Sequence, residues 1–145
     1  MYNLLVERIN MTMTFTNTKN AQILLQKLLI AHGMDPNLTN DLPVVGRVVV
    51  QDDIVIAAGF MRDMEGPYAM LDSYITNPEA SPIQRHKALN LITDSLIKVS
   101  KSLGKNKLIM FSQDRNTHQR ALMHGFTNFP DMFTAILDLT KTPSK

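Results

Sequence analysis

Residues 68–111 read YAMLDSYITNPEASPIQRHKALNLITDSLIKVSKSLGKNKLIMF. Tyr68 to Thr76 is rich in β-formers and reads as a strand, which Asn77-Pro78-Glu79-Ala80 breaks. Ser81-Pro82 is a helix start, with Ser at the N-cap and Pro at the first helical position. Leu89, Ile92, Leu96, Val99 and Leu103 then recur at a 3-4-3-4 spacing, the stripe of a helix with one apolar face. The helix is expected to run to Leu103, with Gly104 as the stop. Lys98 and Lys101 near its end suit the negative pole of the dipole. Lys107 to Phe111 (KLIMF) is a short apolar strand of the kind buried on both faces. Strand, helix and strand in this order form a right-handed crossover, so the two strands are expected to be parallel neighbours.

Working toward the N-terminus, VVGRVVV (44–50) and IVIAAGF (54–60) are β-branched runs around a tight turn at Gln51-Asp52-Asp53. Glu65-Gly66-Pro67 makes the next turn, so three strands form a meander. Before them, TMTFT (12–16) alternates like a half-buried strand. Asn20 stands as an N-cap to a helix with Ala21, Leu24, Leu25, Leu28 and Ala31 on one face, and Gly33 with Pro36 ends it. Toward the C-terminus, the loop SQDRN leads into a short helix from about Thr117 to His124, closed by Gly125. Residues 126–129 and 132–139 read as two last strands. The order β-α-β-β-β-α-β-α-β-β gives an α+β class: a central mixed sheet of six to seven strands, an antiparallel meander plus one parallel crossover, with helices on both faces. One domain is expected over 11–139, between an N-terminal extension (1–10) and a polar tail (140–145).

Composition narrows the function classes. The 145 residues contain no Cys, which excludes disulfides, thiolate metal sites and a Cys nucleophile. The net charge of +2 comes with no basic cluster, which argues against a nucleic-acid partner. No apolar run nears the ~18 residues that cross a bilayer, and the first ten residues lack the basic start and apolar core of a secretion signal. No membrane association and a cytoplasmic location are the expectation. His118 and His124 stand six apart, on roughly opposite helix faces, a poor metal spacing, so no metal is expected.

The element order, the strand–loop–helix YITNPEASPIQRHKALNLI and the segment NTHQRALMHGF with Gly125-Phe126 together resemble the GNAT superfamily of N-acetyltransferases. The resemblance covers residues 11–139 and implies acetyl transfer from acetyl-CoA, as cosubstrate, to a primary amine of a small molecule or protein. The short outline is also similar to small GNAT-like proteins of tailed phages, some of them virion components. The competing reading is therefore an inactive binding or structural module, with a virion location, an assembly partner or a second copy of the chain as its partner.

The chain departs from the family pattern twice. The family's Gln/Arg-x-x-Gly-x-Gly/Ala phosphate loop aligns on Ile83, His86 and Ala88, and only Ala88 matches. His86 stands where a glycine lets backbone approach the phosphate, and Pro82 has no N–H. Gln84, Arg85 and Lys87 bring polar and basic groups nearby. The Tyr that family members often place four residues before the late glycine is Ala121 here. Ser112, His118 or a water is then left to protonate the departing thiolate, or it leaves unaided.

The resemblance further implies that the backbone of Ser73, Tyr74, Ile75 and Thr76 pairs with the pantetheine arm, one N–H polarising the acetyl carbonyl. It places a cofactor contact at Asn116, whose alternative is a helix N-cap. Asp72 shares a strand face with Tyr68, Met70, Tyr74 and Thr76 by alternation; it is either a general base for the amine or a solvent-facing or paired carboxylate. Asp63 and Glu65, beside Arg62, are either an acidic rim for a cationic amine or an ordinary polar turn.

Overall fold

The computed structural model describes residues 11–112, 114–128 and 135–140. Five strands form one sheet in the order β1-β2-β3-β4-β5: β1 (Met11–Phe15), β2 (Val45–Gln51), β3 (Ile54–Asp63), β4 (Tyr68–Thr76) and β5 (Lys107–Met110). Neighbours are antiparallel except β4 and β5, which are parallel. Among the described residues three helices accompany them: α1 (Lys19–Ala31), α2 (Pro82–Ser102) and α3 (Arg115–Met123), with a 3-10 turn at Pro36–Asp41.

Among the described residues the sheet has five strands, where six to seven are expected from the sequence. Residues 126–128 and 135–139 form no strand, and Phe129 and 132–134 lie outside the described residues, as do the extension 1–10 and residues 141–145 of the tail. Alternating apolar residues make a strand only against a partner edge. Ile136, Leu137 and Leu139 have none and are more than four-fifths exposed.

Each face of the sheet carries a core. Leu25, Leu28 and Leu29 of α1 pack on Val48, Ala58, Phe60 and Ile75. Leu89, Ile92 and Leu96 of α2 pack on the other face, on Val49, Ile56, Met61, Ala69 and Leu71. Leu103 leaves the expected stripe. It is the C-cap, just past the last helical turn, and is 48% exposed. The N-caps also shift: Thr18, not Asn20, accepts from the Ala21 amide and opens α1, and Asp114, not Asn116, opens α3. Asp52 and Asp53 both adopt positive φ between β2 and β3, the conformation of a two-residue hairpin turn.

The feature that shapes the site is a bulge in β4. Ala58 pairs with Ile75 and Phe60 with Asp72, so Gly59 alone faces both Ser73 and Tyr74. Ser73 takes a φ of 56°, the left-handed conformation that lets a strand absorb an extra residue. The extra residue shifts the alternation by one. Asp72 stays with Phe60 on the α1 side, whereas Tyr74 packs into the α2 core. The single face expected for Tyr68, Met70, Asp72, Tyr74 and Thr76 is therefore split at Ser73. Gly59 makes the arrangement possible: a Cβ there would meet Ile92 Cγ2 at 2.7 Å and the Tyr74 ring at 2.8 Å.

Candidate functional site

The parallel pairing of β4 and β5 runs from Tyr68↔Lys107 to Leu71↔Met110 and stops. From Asp72 onward β4 has no partner on the β5 side among the described residues. A strand edge with unpaired backbone groups is a template for another extended chain. Beside it opens a cleft of about 340 Å³, lined by Tyr74 and Thr76 of β4, Pro82, Arg85, His86 and Leu89 of α2, and Asp114, Asn116, Thr117 and Arg120 at the start of α3.

Five residues expected at a site line this cleft: Tyr74, Thr76, Arg85, His86 and Asn116. The others lie elsewhere. Ser73 makes the bulge, and Ile75 is buried against α1. Gln84 uses its side chain in a capping box, its Oε1 accepting from the Ser81 amide at 2.9 Å and its Nε2 donating to Gln51 Oε1 at 3.1 Å. Ala88 is fully buried under α2, and Lys87 is outside the lining. Ser112 caps its own loop: its hydroxyl donates to the Asp114 carbonyl and accepts from the Asp114 amide, both at 3.0 Å. Asp72 pairs with Arg62 on the α1 side of the sheet, where β4 leaves β5. Asp63 of the expected acidic rim is paired with Lys105 at 2.5 Å.

A backbone cradle over residues 84–88 is closed in this chain. The Gln84 amide donates to Ser81 Oγ at 3.1 Å, the Arg85 amide to the Ser81 carbonyl at 3.0 Å, and Pro82 has no N–H. The donors left for an anion are side chains. Arg85 Nε and Arg120 Nε are both buried with no hydrogen-bond partner, a state that costs free energy unless a ligand or water accepts. Burial lowers the Arg120 pKa, but a guanidinium stays charged. Asp114 offsets part of this positive charge. Its carboxylate caps α3 through Thr117 and the Asn116 amide, and these bonds hold its pKa below the usual range.

Arg120 and Thr117 were not among the expected residues. The available signal was spacing, since Arg120 stands four residues after Asn116, on the same helical face. The Tyr74 hydroxyl was also missed. It meets Thr93 Oγ1 at 3.0 Å. Burial raises its pKa to about 12, opposed by the Thr93 bond and by Arg120. Tyr74, Ala121 and Phe126 line a void of only about 10 Å³.

Among solved structures the chain is similar to a GNAT-family acetyltransferase of Streptococcus pneumoniae, with a TM-score of 0.67 and 13% identity over 90% of this chain and 99% of that one. The fold is that of the GNAT acetyltransferases. A ribosomal-protein-alanine N-acetyltransferase from Brucella melitensis matches with a TM-score of 0.66 and 11% identity over 89% of this chain and 99% of that one. A Mycobacterium tuberculosis protein in complex with CoA matches with a TM-score of 0.63 and 13% identity, covering 86% and 76%. No family model and no curated protein matches the sequence. Among the described residues no helix is long and apolar enough to cross a membrane, and no group of three His, Cys, Asp or Glu could hold a metal ion.

Proposed function

We propose that the protein binds acetyl-CoA in this cleft and transfers the acetyl group to an amine. The observation that carries the reading is the open edge of β4 over residues 72–76, facing a cleft floored by two arginines with unpartnered donors. Two features of the ligand match it. Its amide-bearing pantetheine arm can pair with the edge as a strand does. Its diphosphate suits charge-assisted bonds from Arg85 and Arg120. Asn116 and Thr117 complete the contacts in the cleft, with the His86 ring in its wall.

Asp72 lies on the opposite side of the sheet, near the point where the strands part. In this reading the amine approaches from the α1 side, and Asp72 takes its proton directly or through water. The amine nitrogen then bonds to the acyl carbon as the carbon–sulfur bond breaks. The Ser112 hydroxyl both donates and accepts within its own loop, whereas the Tyr74 hydroxyl can accept from Thr93 Oγ1 and keep its own proton to steady the departing thiolate. With its pKa near 12 it keeps its proton at neutral pH and can donate a hydrogen bond. Proximity in one cleft supplies much of the rate.

The test is thermal unfolding with acetyl-CoA, followed by turnover over a panel of primary amines. Ligand at 100 times its Kd stabilises by about 2.7 kcal/mol. Stabilisation with turnover supports acetyl transfer. Stabilisation without turnover supports a cofactor-binding module. No shift at millimolar acetyl-CoA removes both. The closed backbone cradle and Ala121 are the observations that favour a non-catalytic module as the second reading, with a virion assembly or a second copy as its partner.

A further inference from the structure

Five side chains run in a line along the seam between α2 and α3. Asp94 Oδ1 meets His124 Nδ1 at 3.0 Å. His124 Nε2 meets Asn90 Oδ1 at 3.2 Å. Asn90 Nδ2 meets His86 Nε2 at 3.1 Å. His86 Nδ1 meets Arg120 Nη2 at 3.5 Å. The line is built by helical spacing: residues 86, 90 and 94 stand four apart on α2, and 120 and 124 stand four apart on α3. It begins at an exposed carboxylate and ends at an arginine of the cleft.

Proton accounting allows two states. With the amide as described, Asn90 Oδ1 needs a proton on His124 Nε2, and Asp94 needs one on Nδ1. His124 is then an imidazolium. Asn90 Nδ2 donates to His86 Nε2, so a neutral His86 carries its proton on Nδ1 and turns an N–H toward Arg120, which has only donors. A half-turn of the Asn90 amide gives the other state. His124 is neutral, donates to Asp94 and accepts from Asn90. His86 donates from Nε2 to Asn90 and offers the Nδ1 lone pair to Arg120. Only this second state holds Arg120.

We infer that Asn90, His86 and His124 are positioning residues that aim Arg120 into the cleft, and that protonation of His124 releases it. The proton comes from solvent to His124 Nε2, the Asn90 amide turns over, and the His86 proton moves from Nε2 to Nδ1 through water. Of the charged groups facing the line, Asp94 contacts His124 Nδ1, whereas Arg120 and Arg85 line the cleft beside His86, with Asp114 at the same cleft. Histidine is the side chain that changes charge between about pH 5 and 8. Arg120 is therefore held at the alkaline end of that range and released at the acid end.

The inference rests on the acetyl-CoA reading, and the experiment separates the two. CoA affinity is measured by calorimetry from pH 8 to pH 5.5 on the wild type, His124→Gln and Asn90→Leu. The ligand's own phosphate titrates near pH 6, so the signal is the difference between wild type and variants. The expected result is an extra loss of roughly tenfold in the wild type on acidification, the size of one charged hydrogen bond, absent in both variants. Nitrogen NMR of the histidine rings, without ligand, gives an independent readout. The His86 tautomer should change from Nε2–H to Nδ1–H as His124 gains its proton, and should stop following it in Asn90→Leu. Parallel affinity profiles in wild type and His124→Gln, or a His86 tautomer indifferent to pH, overturn the relay and leave the cofactor reading standing. No CoA binding at any pH overturns the cofactor reading, and the linkage with it.

Discussion

The two halves of β4 have the same sequence character and opposite fates. Tyr68–Leu71 is hydrogen-bonded on both sides, to β3 and to β5, and its inward residues Ala69 and Leu71 sit in the α2 core. Asp72–Thr76 keeps β3 but has no β5 partner among the described residues. Between them lies one residue, Ser73, with a positive φ. The first half builds the fold; the second presents an edge. The bulge makes the change abrupt, because it turns Tyr74 and Thr76 to the cleft side and leaves Asp72 on the far side of the sheet. Substitutions around the first half should therefore cost stability. Those around the second should cost ligand binding.

The largest expected effect is on the first half. Leu96 is fully buried in the cluster with Met61, Ala69 and Leu71. Leu96→Ala should destabilise by about 2–5 kcal/mol in urea unfolding, while the molecules that stay folded bind CoA as the wild type does. A large change in affinity would show that the halves are not separable.

Gly59 is at the boundary, and Gly59→Ala should affect both properties. Its new methyl would press on Ile92 and on the Tyr74 ring at under 3 Å. Overpacking of this kind costs about 1–3 kcal/mol, and displacement of Tyr74 should weaken CoA binding in the same variant. Full stability in Gly59→Ala would mean that the bulge does not depend on the missing side chain.

Across the second half, Arg120→Gln should lower CoA affinity roughly tenfold or more, as loss of a charged hydrogen bond does. The unfolding free energy without ligand should fall by no more than about 1 kcal/mol, since the half-buried Arg120 already leaves its Nε unpartnered. The smallest effect is at the mouth of the cleft. The bonds that cap α3 depress the Asp114 pKa, so Asp114 stabilises the helix above the ordinary carboxylate range. That contribution is lost as pH falls through its depressed folded value. Amide exchange in 115–120 should quicken there before exchange in α2 does. Simultaneous quickening would assign the loss to global unfolding.

Much of this molecule is legible in its sequence because the signals are local. The apolar stripe through Leu96, the Ser81-Pro82 start and the glycines at 33, 104 and 125 each act within a turn or two. Each glycine closes its helix with a positive φ. The parallel crossover follows from those elements and from handedness. The bulge is not legible, since serine is no signal for a left-handed φ, and the face assigned to Tyr74 and Thr76 fails with it. Alternation at 126–129 and 132–139 signals strands, but alternation alone names no partner edge. At the site, resemblance brings forward Arg85, His86 and Asn116. Arg120 and the Asn90 relay depend on contacts 34 residues apart in sequence, which spacing within one helix does not reveal.

If the open edge of β4 and the arginines facing it form one ligand site, an NMR titration of the backbone amides with acetyl-CoA will show it. Saturable shifts should concentrate in residues 72–76, 85–86 and 116–120, with the paired half 68–71 and β1 unmoved. Shifts confined to another surface, or none at millimolar ligand, would rule the site out.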